Sequence, residues 1–491
     1  MPSKVFRTGV TAAALAAAVV SAVVSVPTIA SAAPPAAPTR ADDFNGDGYA
    51  DVAFAAPSAT VNGKAKAGYV AVMYGSATGL KAASKQVFDQ DTAGIPDTAE
   101  VGDTFGGSVS TADLDRDGYA DLVVGAIGED NGTLSNAGSL SVIWGGAKGL
   151  SGGATLATGE EEYDAVGSLT KAGDFDGDGA ADVVTIAGSH HVRVLSGPFG
   201  RDGSARATAE IRDMNDLRFL DTAAADVNGD GTTDLVAVVN DGEEFDARRI
   251  LYWRGTSQGL APASTVNGAN GRSIQGGEHL ATGDVNKDGF ADIVAGRAVD
   301  GYDSDLDTPL HKGGMVTYVP GSATGPQGAR TKVFNQDSPG VPGTAEAGVD
   351  AFGFSVSVND MNGDGYGDIA IGVPSEALGT LKAAGTVAIL RGAAGGPTGT
   401  KAQGFNQDTP LIGGAAEAGD RFGGAVKLVD TNGDGRSELV VGAPGENAGA
   451  GSVWVLPGTK AGITATGSFT FGAGTLGTVA PGAALGASFN R

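Results

Sequence analysis

The chain of 491 residues contains no cysteine, only four histidines and three tryptophans, and 6% aromatic residues. Without cysteine there is no disulfide framework, thiolate metal site or thiol nucleophile, so an exported fold must rest on core burial or bound metal. The histidines, His190, His191, His279 and His311, form no HExxH pattern and no evident triad. Positive charge is scarce: 32 Lys and Arg stand against 57 Asp and Glu, a formal charge of −25. This balance argues against nucleic acid or an anionic membrane surface as a partner. Long apolar runs are absent outside Thr11 to Val26. No membrane insertion is therefore expected.

That one run follows Lys4 and Arg7 and leads to Ala30-Ser31-Ala32 and a Pro/Ala-rich stretch. These are the three parts of a secretory signal peptide, which predicts that residues 1–32 are removed, 33–41 are a flexible spacer and the mature body is secreted. An uncleaved anchor is the alternative. Loss of Lys4 and Arg7 takes the formal charge to −27.

What the chain has in abundance is glycine, 82 residues, and one acidic nonapeptide pattern repeated seven times. In DFNGDGYAD the oxygen-bearing side chains are Asp43, Asn45, Asp47 and Asp51, and Tyr49 at position seven offers its carbonyl. DLDRDGYAD supplies Asp113, Asp115, Asp117, Tyr119 and Asp121, and DFDGDGAAD supplies Asp174, Asp176, Asp178, Ala180 and Asp182. DVNGDGTTD contributes Asp226, Asn228, Asp230, Thr232 and Asp234; DVNKDGFAD contributes Asp284, Asn286, Asp288, Phe290 and Asp292. Asp360, Asn362, Asp364, Tyr366 and Asp368 follow in DMNGDGYGD, then Asp430, Asn432, Asp434, Arg436 and Glu438 in DTNGDGRSE.

Calcium takes six to eight oxygen ligands, and alternating Asp and Asn on a tightly wound loop supply them from one short segment. The start of the pattern matches the EF-hand loop, with a glycine at position six for the sharp turn. Its closing carboxylate stands at position nine instead of twelve, so no helix–loop–helix is implied. About seven structural Ca²⁺ are expected, with the closing carboxylate a bidentate ligand. The loops hold 23 of the carboxylates, and seven Ca²⁺ would bring the mature charge from −27 to −13.

Each loop runs into a short Val/Ile/Leu/Ala segment ended by Gly or Pro, as in DLVVGAIG or ELVVGAP, which reads as a buried strand. A further strand recurs as GYVAVMYG, GSLSVIWG, GTVAILRG and GSVWVLPG, followed by a Gly-rich turn. The loops lie 52 to 76 residues apart, room for four strands. The fold expected is all-β, a seven-bladed propeller of four-stranded antiparallel blades over residues 42–491. Calcium β-rolls have much shorter repeats, and a sandwich needs no metal loop per unit. The first loop has no strand before it, whereas TVAPGAALGASF (residues 478–489) aligns with TAEVGDTFGGSV (residues 98–109), Leu485 and Gly486 replacing Phe105 and Gly106. The C-terminal strand is thus expected to complete the first blade. The fourth strand cannot be placed from sequence in the third and fourth units.

The chain resembles the FG-GAP repeat of the integrin α-subunit propeller. The likeness is carried by Phe105-Gly106 with Gly125 to Ile127, Phe352-Gly353 with Gly372 to Pro374, and Phe422-Gly423 with Gly442 to Pro444. Units three to five depart, with Val166-Gly167, Phe219-Leu220 and Gly276 to His279 in place of Phe-Gly. The family carries calcium loops in a subset of blades, whereas here each blade has one. The resemblance implies a ligand-binding upper face, opposite the metal loops. There the longer connections collect: Phe88 to Asp103, Gly128 to Gly138, Val299 to Gly314, Phe334 to Asp350 and Phe405 to Asp420. The acidic stretch Asp300, Asp303, Asp305, Asp307 and His311 holds a further cation or ligand, or is a solvated insertion. The expected function is a monomeric, secreted calcium-binding module for an extracellular protein or glycan. The alternative is a hydrolase or lyase acting on a polysaccharide or lipid-linked glycan. GTSQG (residues 255–259) matches a serine-nucleophile pattern but falls where other units have a hairpin turn.

Overall fold

The short apolar segments that follow the acidic loops are buried on both faces, as in Val52–Ala56, Asp121–Ala126 and Glu438–Ala443. A strand with two apolar faces needs a layer on each side. In the computed structural model, which describes residues 1–3, 42–188, 190–212, 217–240, 247–304 and 306–490, those layers are neighbouring blades of a seven-bladed β-propeller. The chain divides into residues 1–37 and 38–491, and the propeller lies in the second unit. The signal-peptide and spacer expectations fall on residues 4–41, outside the described residues. No helix among the described residues is long and apolar enough to cross a membrane.

Every blade has four antiparallel strands, in chain order from the axis outward in blades 2 to 7. Blade 2 is representative, with Phe105–Ala112 innermost, then Asp121–Ala126, Ser139–Ile143 and Gly153–Thr158. Blades 3 and 4 end in Ala207–Ile211 and in the two-residue Ser264–Thr265, the strands that sequence could not place. Seven apolar clusters each join side chains of two consecutive blades, so the core is radial and lies between sheets.

The ring closes as expected. Ser488–Phe489 pairs with Val52–Ala56, Phe54 opposite Phe489, and becomes the inner strand of blade 1. Asn490 adds a side-chain clasp: its Oδ1 accepts the Ala53 N–H at 3.0 Å and its Nδ2 donates to Asp42 at 2.9 Å.

The Phe-Gly dipeptide is the joint between blades. Phe105 N–H donates to Ala67 O of blade 1 at 2.8 Å, and its ring fills the cluster between blades 1 and 2. Gly106 then turns with φ +92°, where a Cβ would lie 3.1 Å from Tyr69 O and from Val70 Cγ1. Val166-Gly167 reproduces this joint in blade 3, with Val166 bridged in parallel to Gly138, and Leu485 does so beside Gly451. In blade 5 Gly276 N–H reaches Arg248 O at 3.1 Å, so a Gly-Gly pair makes the crossing. Blade 4 lacks the glycine: its inner strand Arg218–Ala225 has a bulge between Phe219 and Asp221, and Phe219 stacks on Trp253 of its own blade.

Candidate metal centres

The seven acidic loops connect first to second strands, and the Gly-rich turns connect third to fourth, so both emerge on one face. Each loop winds by a chain of Asx turns. In the first, Asp43 Oδ2 accepts the Gly48 N–H at 2.8 Å, Asn45 Oδ1 accepts that of Asp47 at 2.8 Å, and Asp47 Oδ1 that of Tyr49 at 3.1 Å. The position-six glycines, Gly48 to Gly435, have φ between +78° and +94°, a region that side chains disfavour. This spiral turns alternate side chains toward one centre. Asp113, Asp115 and Asp117 bring one oxygen each within 4.8 Å of one another, as do Asp174, Asp176 and Asp182.

Position nine has a second task that the sequence did not reveal. Asp121 is fully buried, and its Oδ2 accepts the Leu114 N–H of its own loop at 2.8 Å while Oδ1 accepts Gly145 N–H at 2.8 Å. Gly145 opens the turn to the fourth strand, so one carboxylate ties both turns of the face together. Asp51, Asp182, Asp234, Asp292 and Asp368 repeat the clamp with Gly75, Gly197, Gly255, Gly321 and Gly392. Glu438 departs from it, reaching Thr431 N–H at 2.8 Å and Asn432 Nδ2 at 2.6 Å. Burial raises these carboxyls despite the N–H donors that favour the charged form: Asp51 to about 8, Asp121 to about 7, and Asp182, Asp292 and Asp368 to about 6.

Position two was also missed. Phe44, Leu114, Phe175, Val227, Val285, Met361 and Thr431 are all 0% exposed. The carbonyls of Phe44, Leu114, Val227 and Thr431 receive the next blade's turn, as where Gly146 N–H reaches Phe44 O at 3.1 Å and Phe199 N–H reaches Leu114 O at 2.9 Å. Each loop therefore plugs a blade junction while presenting its acids outward. The signal was available as an apolar residue in six of the seven copies.

The two loops with Asp at position three carry an arginine. Arg201 pairs with Asp115 and Asp117, and Arg206 pairs with Asp176 at 2.5 Å and with Asp178. The extra carboxylate of these loops is thus offset by a guanidinium. The donor set in all seven is oxygen only, which fits a hard cation such as Ca²⁺. The side chains at positions one, three, five and nine and the carbonyl at seven are the residues that would hold it.

The other sequence candidates are not brought together. Tyr302–Asp303 and Thr308–Pro309 form a small hairpin. Asp303 turns inward to Arg249 at 3.5 Å, and Asp300 accepts the N–H groups of Gly313 at 3.1 Å and Gly348 at 2.8 Å. Tyr302 bonds to Asp307, and Asp305 lies outside the described residues. GTSQG is the hairpin turn expected, closed by Thr256 and Gly259. His279 lies against Phe354, and His190 Nδ1 bonds to Leu217 O at 2.7 Å. An axial cavity of 340 Å³ is lined by inner strands and by Asp42, Lys171, Lys427 and Asn490. Lys427 is engaged there by Asp42 at 3.1 Å and Asn490 O at 2.8 Å.

Comparison with known proteins agrees with this geometry. The FG-GAP repeat family matches residues 39–73, 105–143, 352–390 and 422–456, and the FG-GAP-like repeat matches 174–237 and 226–295. Phosphatidylinositol-glycan-specific phospholipase D of Rattus norvegicus is 29% identical over 197 residues, 38% of this chain and 22% of that protein. Integrin alpha pat-2 of Caenorhabditis briggsae is 32% identical over 240 residues, 47% of this chain and 18% of the integrin. Integrin alpha-V of Gallus gallus is 38% identical over 96 residues, 19% and 9% of the two chains. The matches thus span about a fifth of the first relatives' length. With repeats matched in every blade and the Phe-Gly joint in place, the chain belongs to the FG-GAP repeat proteins and folds as an integrin α-like β-propeller.

Proposed function

We propose that this propeller is a calcium-stabilised extracellular binding module whose upper-face loops engage a protein or glycan. The observation that carries the calcium part is the convergence of carboxylate oxygens in loops that also plug the blade junctions. Buried carboxylates whose charge is disfavoured by burial gain most from a cation, and a ligand bound only to the folded state stabilises it by mass action. The Arg-paired loops of blades 2 and 3 load last, since the guanidinium must share or yield their outer oxygens. Secretion supplies the setting, because extracellular sites as weak as about 10⁻⁴–10⁻³ M fill in calcium-rich surroundings.

The adhesive part of the reading rests on the integrin relatives and on the loop-rich upper face. The test is a calcium titration with the melting temperature as readout, joined to a glycan array and cell-surface pull-down with and without calcium. A rise of several degrees with calcium and calcium-dependent capture are expected. Unchanged melting after chelation overturns the metal reading, and turnover of a glycan abolished by an upper-face acid substitution overturns the binding-module reading.

A further inference from the structure

Three blade junctions on the upper face carry the same constellation, made of residues that the seven metal loops do not use. The outer strands of blades 1, 5 and 6 run into FDQDTAGI, FNQDSPGV and FNQDTPLI, beginning at Phe88, Phe334 and Phe405. Each segment is fixed alike: Asp91, Asp337 and Asp408 accept the N–H of Ala99, Ala345 and Ala416, all at 3.1 Å. Ile95, Val341 and Ile412 are buried beneath them. The glutamines held between, Gln90, Gln336 and Gln407, are 3%, 3% and 1% exposed.

Each glutamine meets a glutamate of the next blade, and a second acid stands close enough to that glutamate to raise it. Its Nε2 donates to Glu129 in the first junction, to Glu376 at 2.7 Å in the second and to Glu446 at 2.5 Å in the third. The second acid, Asp103, Asp350 or Asp420, is 1–2% exposed and stands two residues before the Phe of the Phe-Gly joint. Its own carbonyl receives the turn that bears the glutamate, from Gly128 at 3.0 Å, Ser375 at 3.2 Å and Gly445 at 3.0 Å. In all three copies the glutamine Oε1 is buried and has no hydrogen-bond donor.

Two buried acids side by side are costly unless something neutralises them. Burial and neighbouring carboxylates push Glu129 to about 8 and Asp103 to about 6, and they raise Glu376 and Glu446 as well. Among the described residues no Lys or Arg forms an ion pair with the three glutamates, though Lys312 lies near Asp350. Between blades 4 and 5 an arginine does this work, Arg248 reaching Glu278 at 3.3 Å.

We propose that each Gln-Glu-Asp set binds a hard divalent cation, Ca²⁺ in the first instance, through the glutamine Oε1 and the two carboxylates. A proton is the competing neutraliser. A single proton gives one O–H, which can donate to the neighbouring carboxylate or to Gln407 Oε1 but not to both, and turning the amide strands Nε2 instead. A cation serves all three oxygens at once. These three sites staple the upper-face loops of blades 1/2, 5/6 and 6/7, so ligand capture on that face depends on them separately from the lower loops.

The test counts calcium by elemental analysis on the full chain after equilibration with Ca²⁺ and gel filtration. The triple variant Glu129→Gln, Glu376→Gln, Glu446→Gln is expected to carry three ions fewer than wild type, and Glu446→Gln alone one fewer. Asp364→Asn reports on a lower loop in the same assay, so failure of the lower-loop reading and failure of this one are distinguishable. In chelator at about pH 10, where the raised glutamates are ionised, the triple variant is expected to melt above wild type, because their buried charges are gone. An unchanged ion count, or a variant that melts lower than wild type in chelator, overturns the proposal.

Discussion

Replacing Asp121 by Ala is expected to cost far more in chelator than replacing Asp115, although both belong to the same acidic loop. The Asp121 carboxyl accepts two buried backbone N–H groups, from Leu114 and Gly145, each at 2.8 Å. Either protonation state offers two acceptor oxygens, so alanine strands both donors. An unsatisfied buried donor costs about 1–3 kcal/mol, which puts Asp121→Ala at about 2–6 kcal/mol without any cation. Asp115 accepts one exposed N–H from Asp117 at 3.2 Å and pairs with Arg201, whose side chain is 52% exposed. Screened by water, such a pair is worth about 0–1 kcal/mol. Calcium adds a ligand loss to both variants and narrows the ratio. The assay is urea unfolding in chelator, followed by circular dichroism and by tryptophan fluorescence, because Trp144 sits in the core between blades 2 and 3. Coincident curves license a free-energy comparison. Equal costs for the two variants in chelator refute the clamp and return position nine to an ordinary ligand.

Three further outcomes follow from the same geometry. The clamp carboxyls are raised in the folded state, so the stability they confer is present below about pH 4 and is lost as pH rises through values between about 6 and 8; the chelated protein should lose melting temperature over that window, and calcium should abolish the loss, whereas a chelated protein most stable near neutrality contradicts this. Deleting residues 478–491 removes Phe489, which packs edge-on against Phe54 at 5.7 Å, together with the Asn490 clasp; burial of one Phe alone is worth about 1.5–3 kcal/mol, and a truncated chain with the full-length melting temperature would disprove ring closure. Gly106→Ala places a side chain at φ +92° with a Cβ 3.1 Å from Tyr69 O; a loss exceeding the about 1–3 kcal/mol of backbone strain is expected by thermal unfolding, whereas Gly118→Ala, at φ +94° with nothing within 4 Å of the Cβ, should show the backbone strain alone.

The parts of this molecule that sequence revealed are those written at one place in the chain. A metal loop is nine consecutive residues, and the buried strand behind it is a local apolar run, so blade number, strand order and closure could all be read directly. Two things could not. A ligand and a backbone clamp both demand a carboxylate, so position nine looked like a calcium ligand only, and the apolar residue at position two has no role in the ligand pattern that would mark it. In blade 4 the departure itself was legible, since Phe219-Leu220 lacks the glycine, but not the bulge between Phe219 and Asp221 that goes with it. The Gln-Glu-Asp sets show what a ring adds to a repeat. Their members are separated by most of a blade in sequence, yet Gln90 and Glu129 are 39 residues apart, Gln336 and Glu376 are 40, and Gln407 and Glu446 are 39. A chain that advances one blade per turn brings together whatever recurs at that offset. A conserved interval between two polar residues in a propeller sequence is therefore itself evidence of contact, and here it would have located the upper-face acids before any coordinates did.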